Sequence, residues 1–123
     1  MKQNILKEIW ILDDDSSVLE VIEAILQEYG YKTRRFMDEL ELRRALDLQF
    51  PALLFIDVLL NDSDGRDIAL SLKSHERSAY IPIILMSANS RFLEESGKIK
   101  SDDILHKPFE LEDLLSKVRK YVK

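Results

Sequence analysis

Four short apolar runs in this 123-residue chain end in side chains able to handle charge. Glu8–Leu12 (EIWIL) runs into Asp13, Asp14 and Asp15, and Ala52–Ile56 (ALLFI) runs into Asp57. Ile83–Met86 is followed by Ser87, and Ile104–His106 by Lys107. If the run ends converge, several carboxylates, a hydroxyl and an ammonium share one crevice. Two unit charges about 4 Å apart repel by roughly 4 kcal/mol at an effective dielectric of 20. Such a cluster persists only if a carboxylate protonates, a cation binds or a lysine compensates. Oxygen donors without cysteine or a histidine cluster select Mg²⁺ or a similar hard ion. The bland alternative, solvated loop acids and helix caps, suits Asp15, which stands just before a helix pattern. Asp13, Asp14 and Asp57 together read instead as a site, because acids ending two separate runs are a poor coincidence.

The elements that must position these residues follow from periodicity. Val18, Ile22, Ile25, Leu26 and Tyr29 recur on one face of a 3.6-residue period, with Ser17 and Glu20 spaced as a capping box and Gly30 as the terminating glycine. Tyr31–Phe36 reads as a short strand, and Leu40, Leu42, Ala45, Leu46 and Leu48 mark a second helix stopped by Pro51. Ile68, Leu70 and Leu72 lie in a helix after Gly65, and a weak helix surrounds Phe92 and Leu93. Leu111, Leu114, Leu115, Val118 and Val122 align in a last helix, with acids first and Lys117, Arg119, Lys120 and Lys123 at its end. Five strands alternating with five helices predict an α/β fold, a doubly wound parallel sheet with helices on both faces. In such sheets the functional crevice lies at the carboxyl ends of the strands.

Composition narrows the class. The length suits one domain over residues 1–123, with no output domain expected in this chain. Eighteen Lys and Arg against 23 Asp and Glu give a net charge of −5, which disfavours a direct nucleic-acid surface. There is no cysteine, no apolar stretch approaching a membrane span and no leader pattern, so a cytoplasmic protein without membrane contact is expected.

Ile11-Leu12-Asp13-Asp14-Asp15-Ser16, Phe55-Ile56-Asp57 with Asp64-Gly65, Met86-Ser87-Ala88 and Lys107-Pro108-Phe109 together resemble the response-regulator receiver domain of two-component signalling. The separations of 43, 30 and 20 residues between Asp14, Asp57, Ser87 and Lys107 match that family in order and spacing, and the resemblance spans essentially the whole chain. It implies a strand order of 2-1-3-4-5. It implies Asp57 as phosphoacceptor, with Asp14, Asp57 and the backbone carbonyl of Leu59 holding Mg²⁺ and Asp13 contributing through water. It assigns Ser87 and Lys107 to the phosphoryl group, and a cis peptide to Lys107–Pro108. The implied partners are a sensor histidine kinase or phosphotransfer protein and an unknown downstream protein. A homodimer through the fourth helix, fifth strand and fifth helix is also implied. The chain would catalyse only its own phosphorylation and dephosphorylation.

This chain departs from the family pattern at several positions. Asn61 stands where the family usually has proline, Ser87 where it has threonine, and Ile104 where it has an aromatic switch residue. A readout without an aromatic flip is therefore expected. Trp10 reads as core, His75 as a surface residue at a helix end and His106 as structural. Asp13-x-Asp15-x-Ser17 also resembles the opening motif of haloacid-dehalogenase-type phosphatases, a Mg²⁺-dependent alternative using Asp13. A flavin-binding module is a weaker third reading, since aspartates would repel a flavin phosphate.

Overall fold

The computed structural model describes residues 4–89 and 101–123. The elements run β1 (Asn4–Leu12), α1 (Ser16–Glu28), β2 (Lys32–Phe36), α2 (Glu39–Leu46), β3 (Gln49–Asp57), α3 (Gly65–Ser74), β4 (Ile83–Ser87), β5 (Asp103–His106) and α4 (Leu111–Tyr121). All strand pairs are parallel, in the order β2-β1-β3-β4-β5. Among the described residues there are four helices rather than the expected five; the helix read around Phe92 and Leu93 lies outside them.

Alternation along the strands divides the core into two layers. Ile9, Ile11, Leu53, Phe55, Ile84 and Met86 face α1 and α4, packing on Leu19, Ile22, Leu26, Leu114, Leu115 and Val118. Trp10, Leu12, Leu54, Ile56, Ile83 and Leu85 face α2 and α3, packing on Leu42, Leu46, Ile68 and Leu72. Strands buried on both faces read as continuous apolar runs, which is why EIWIL and ALLFI stood out.

The local signals need three corrections. The N-cap of α1 is Asp15, whose carboxylate accepts from the Ser17 N–H at 3.0 Å, so the Ser17–Glu20 capping box does not form. The second helix ends at Leu46, and Leu48, read as part of its core face, is 76% exposed. Pro51 lies inside β3 rather than in a helix stop. It is tolerated there because β4 pairs with β3 only from Leu54 onward, leaving one side of β3 open at Pro51. Gly30 does terminate α1: at φ +89° its N–H bonds Gln27 O, and the Tyr31 N–H bonds Leu26 O, a Schellman closure that favours glycine.

Among the described residues, no helix is long and apolar enough to cross a membrane.

Candidate functional site

The strand registers carry the site. Leu12 lies opposite Ile56, Asp57 opposite Met86, and Ser87 opposite His106. Parallel pairing in this register brings the carboxyl ends of β1, β3, β4 and β5 to one edge, where Asp13, Asp57, Ser87 and Lys107 are the terminal or next residues. Backbone hydrogen bonds beyond the strands fix those ends: Asp13 N–H to Phe36 O, Val58 N–H to Met86 O and Lys107 N–H to Ser87 O.

Asp13 and Asp57 are buried, at 1% and 6% exposure, and Asp14 is half-buried. One carboxylate oxygen from each of the three lies within 4.8 Å of the others. The Lys107 ammonium enters this cluster, donating to Asp57 Oδ1 at 2.9 Å and Asp13 Oδ2 at 3.0 Å. Asp13 Oδ1 accepts from the Asp15 N–H at 2.9 Å, and Asp14 Oδ2 from the Asn61 N–H at 2.6 Å. Ser87, at 8% exposure, accepts through Oγ from the Asn89 N–H at 2.9 Å.

One ammonium does not neutralise three carboxylates, and the electrostatics reflect that. Burial pushes the Asp57 carboxyl above its ordinary value; the Lys107 hydrogen bond opposes this, while the charges of Asp13 and Asp14 reinforce it. Burial alone would lower Lys107, but hydrogen bonds to Asp57 and Asp13 and their charges outweigh it, and its affinity for the proton rises. The excess negative charge, the all-oxygen donor set and the close approach of the three carboxylates fit a divalent hard cation.

The loop after β3 is shaped by Gly65. A Cβ there would collide with the carbonyl oxygen of Asp57, so only glycine lets the start of α3 approach the acid this closely. The Gly65 N–H bonds Val58 O, and Leu59 pairs with Asp64 in a single antiparallel bridge. The Leu59 side chain is 80% exposed.

Residue by residue, the geometry brings together Asp13, Asp14, Asp57 and Lys107, with Ser87 at the same sheet edge. Asp15 caps α1 as expected, and Ser17 lowers its pKa through hydrogen bonds. The Lys107–Pro108 peptide is cis. Trp10 is core, and His75 is exposed at the end of α3. His106, expected to be structural, is exposed at the end of β5. Ile104 is half-buried against the α2–α3 layer. The sequence reading missed the Asn61 amide and the tie from Ser63 Oγ to Glu39 Oε1 at 2.8 Å. Backbone donors leave no mark in residue type; only the absence of proline at position 61 hinted at the first.

The haloacid-dehalogenase alternative finds no support. That reading has no use for Asp57, which shares the Lys107 ammonium with Asp13 and lies in the same carboxylate cluster.

Comparison with known proteins agrees with this geometry. The family model of the response regulator receiver domain matches residues 9–119. The transcriptional regulatory protein GltR of Pseudomonas aeruginosa is 31% identical over 118 residues, covering 92% of this chain and 48% of that protein. The chain thus spans from about a quarter to a half of the length of the curated relatives it matches. Among solved structures, the receiver domain of a signal transduction histidine kinase from Syntrophus aciditrophicus superposes with a TM-score of 0.85 at 31% identity, covering 95% of this chain and 90% of that one. The receiver domain of sensor histidine kinase PA1611 from Pseudomonas aeruginosa, described with magnesium coordinated in its active-site cleft, gives 0.82 at 25% identity, covering 94% and 97%. With its sheet order, its strand-end acids and a family match over nearly its whole length, this chain belongs to the response-regulator receiver domains of two-component systems.

Proposed function

We propose that Asp57 is the phosphoacceptor, that Asp13, Asp14, Asp57 and the Leu59 carbonyl form a Mg²⁺ site, and that Ser87 and Lys107 receive the phosphoryl group. The observation that carries this reading is the Lys107 ammonium bonded to both Asp57 and Asp13 within a triad of carboxylates. Asp57 is the last residue of β3, the middle strand of the sheet, and the resemblance assigns the acceptor role to it.

In the transfer, an Asp57 oxygen forms a bond to phosphorus as the bond to the donor breaks. With a phosphohistidine donor the electron pair goes to the imidazole nitrogen, which takes up a proton. The product is an acyl phosphate on Asp57, later returned to carboxylate and inorganic phosphate by water. Phosphoryl transfer asks the protein mainly for alignment and charge neutralisation. Held by Asp13, Asp14, Asp57 and the Leu59 carbonyl, Mg²⁺ would supply positive charge that offsets anion–anion repulsion during the transfer. Lys107 supplies a second charge and pairs with a phosphoryl oxygen in place of Asp57 Oδ1. Ser87 Oγ already accepts from Asn89, so its own O–H is the group left to donate to the phosphoryl oxygen.

The donor class is a sensor histidine kinase or phosphotransfer protein, with acetyl phosphate as a small substitute. The receiver then acts by changing which protein it binds. Support for the metal comes from the donor set and from the magnesium described in the PA1611 receiver domain. The test is intact-protein and peptide mass spectrometry after incubation with acetyl phosphate and MgCl₂. One phosphoryl group should appear, located on Asp57 and lost in Asp57→Asn. A label elsewhere, or one retained in Asp57→Asn, would refute the assignment.

A further inference from the structure

We propose that the backbone amide of Asn61 is the positioning group for the Asp14 carboxylate, holding it in place for a divalent cation. The proposal rests on the Mg²⁺ reading above and assigns a role to a group outside the acidic triad.

The three carboxylates are not held alike. Asp13 and Asp57 are pinned by Lys107, whereas Asp14 Oδ2 takes the Asn61 N–H at 2.6 Å. An amide can orient a carboxylate only if it is itself fixed, and this one is. Its loop is closed at the base by Val58 N–H to Met86 O, Gly65 N–H to Val58 O and the Leu59–Asp64 bridge. Leu60, immediately before it, packs on the α2–α3 core layer. Beyond it, Ser63 Oγ bonds Glu39 Oε1 at 2.8 Å, and Glu39 Oε2 pairs with Arg43 at 3.0 Å. The loop therefore spans from α2 to Asp14 as a braced strap.

The Asn61 side chain is exposed, so its chemistry is not what matters. What this chain gains, at the position where the family usually has proline, is the N–H, which every residue except proline supplies. Hydrogen-bonded partners of ligating groups commonly alter metal affinity by about 10- to 100-fold when removed.

The test is calorimetric Mg²⁺ titration of the full chain as wild type, Asn61→Pro and Asn61→Ala. Asn61→Pro should weaken the apparent Kd by about tenfold or more, while Asn61→Ala, which keeps the N–H, should stay within about twofold of wild type. Equal affinity in wild type and Asn61→Pro, or equal loss in both variants, would overturn the proposal. Because proline also restrains Leu60, a second measurement uses the wild-type backbone. Hydrogen exchange by NMR should find the Asn61 amide protected without metal, and Asp14→Ala should abolish that protection. An unprotected Asn61 amide would overturn the proposal whatever the proline variant does. Wild type that binds no Mg²⁺ would refute the metal reading, and this proposal with it. Wild type that binds, with an indifferent Asn61→Pro, would refute the proposal alone.

Discussion

Lys107 and Asp57 bond across a strand that belongs to neither. Asp57 ends β3, Lys107 follows β5, and β4 lies between; yet Nζ reaches Asp57 Oδ1 at 2.9 Å. The ammonium acts as the resident cation of a pocket that otherwise holds three carboxylates.

Removing that cation should expose the repulsion. Lys107→Ala is expected to destabilise the metal-free protein by about 2–3 kcal/mol, through lost charge-assisted hydrogen bonds and unpaired buried carboxylates. The thermal shift produced by MgCl₂ over matched NaCl should be larger in Lys107→Ala than in wild type, because a competitor for the carboxylates is gone. Equal shifts would mean that lysine and metal do not share the pocket.

Asp57→Asn should do the opposite. The Asp57 pKa is raised above its ordinary 3.8, so in the metal-free fold the ionised form is disfavoured. Its contribution to stability is greatest below pH 3.8 and is lost as pH rises through the folded-state value. A neutral isostere escapes that loss. At neutral pH, Asp57→Asn should be more stable by about 1 kcal/mol, roughly 3–5 °C in Tm. The gap between variant and wild type should close as pH falls toward 3.8, and denaturant titrations across that range check it. Lys107 has the other sign of charge: its raised pKa keeps its contribution intact up to 10.5 and loses it only as pH climbs through the folded-state value.

Gly65→Ala tests how closely the start of α3 approaches the acid. The added methyl meets the Asp57 carbonyl, a backbone atom fixed within the sheet. A loss of about 1–3 kcal/mol is expected from overpacking, with slower labelling by acetyl phosphate as Asp57 is displaced. Wild-type stability and labelling rate in the variant would show that the loop relaxes at no cost.

Much of this site was legible because residue type and strand end coincide. Runs such as ALLFI announce strands buried on both faces, and the residue after each run falls at the sheet edge by geometry alone. Element ends and surface positions were harder. Leu48 fits a helical period yet lies in the turn before β3, and Pro51 looks like a stop but sits where β3 has one open side. The bulge between Leu6 and Ile9, which lets β1 pair with β3 from Asn4 onward, has no signature in residue type. The Asn61 amide escaped for the same reason: a backbone donor's direction depends on the loop around it.

The division of the core into two layers makes the molecule's natural fluorescence one-sided. Trp10 is the chain's one tryptophan, buried in the α2–α3 layer with the Phe36 ring 5.1 Å away and the Arg34 guanidinium 5.3 Å from its own ring. Its indole N–H donates to Glu8 Oε1 at 2.9 Å. Tyr31 and Tyr121 pack against the opposite layer. Emission excited selectively at the indole therefore reports loosening around α2 and α3 and is nearly blind to events under α1 and α4. Of the four tyrosines only Tyr31 and Tyr121 touch that other layer, while Tyr29 and Tyr80 are exposed, so it is the indole whose signal belongs to one half of the domain.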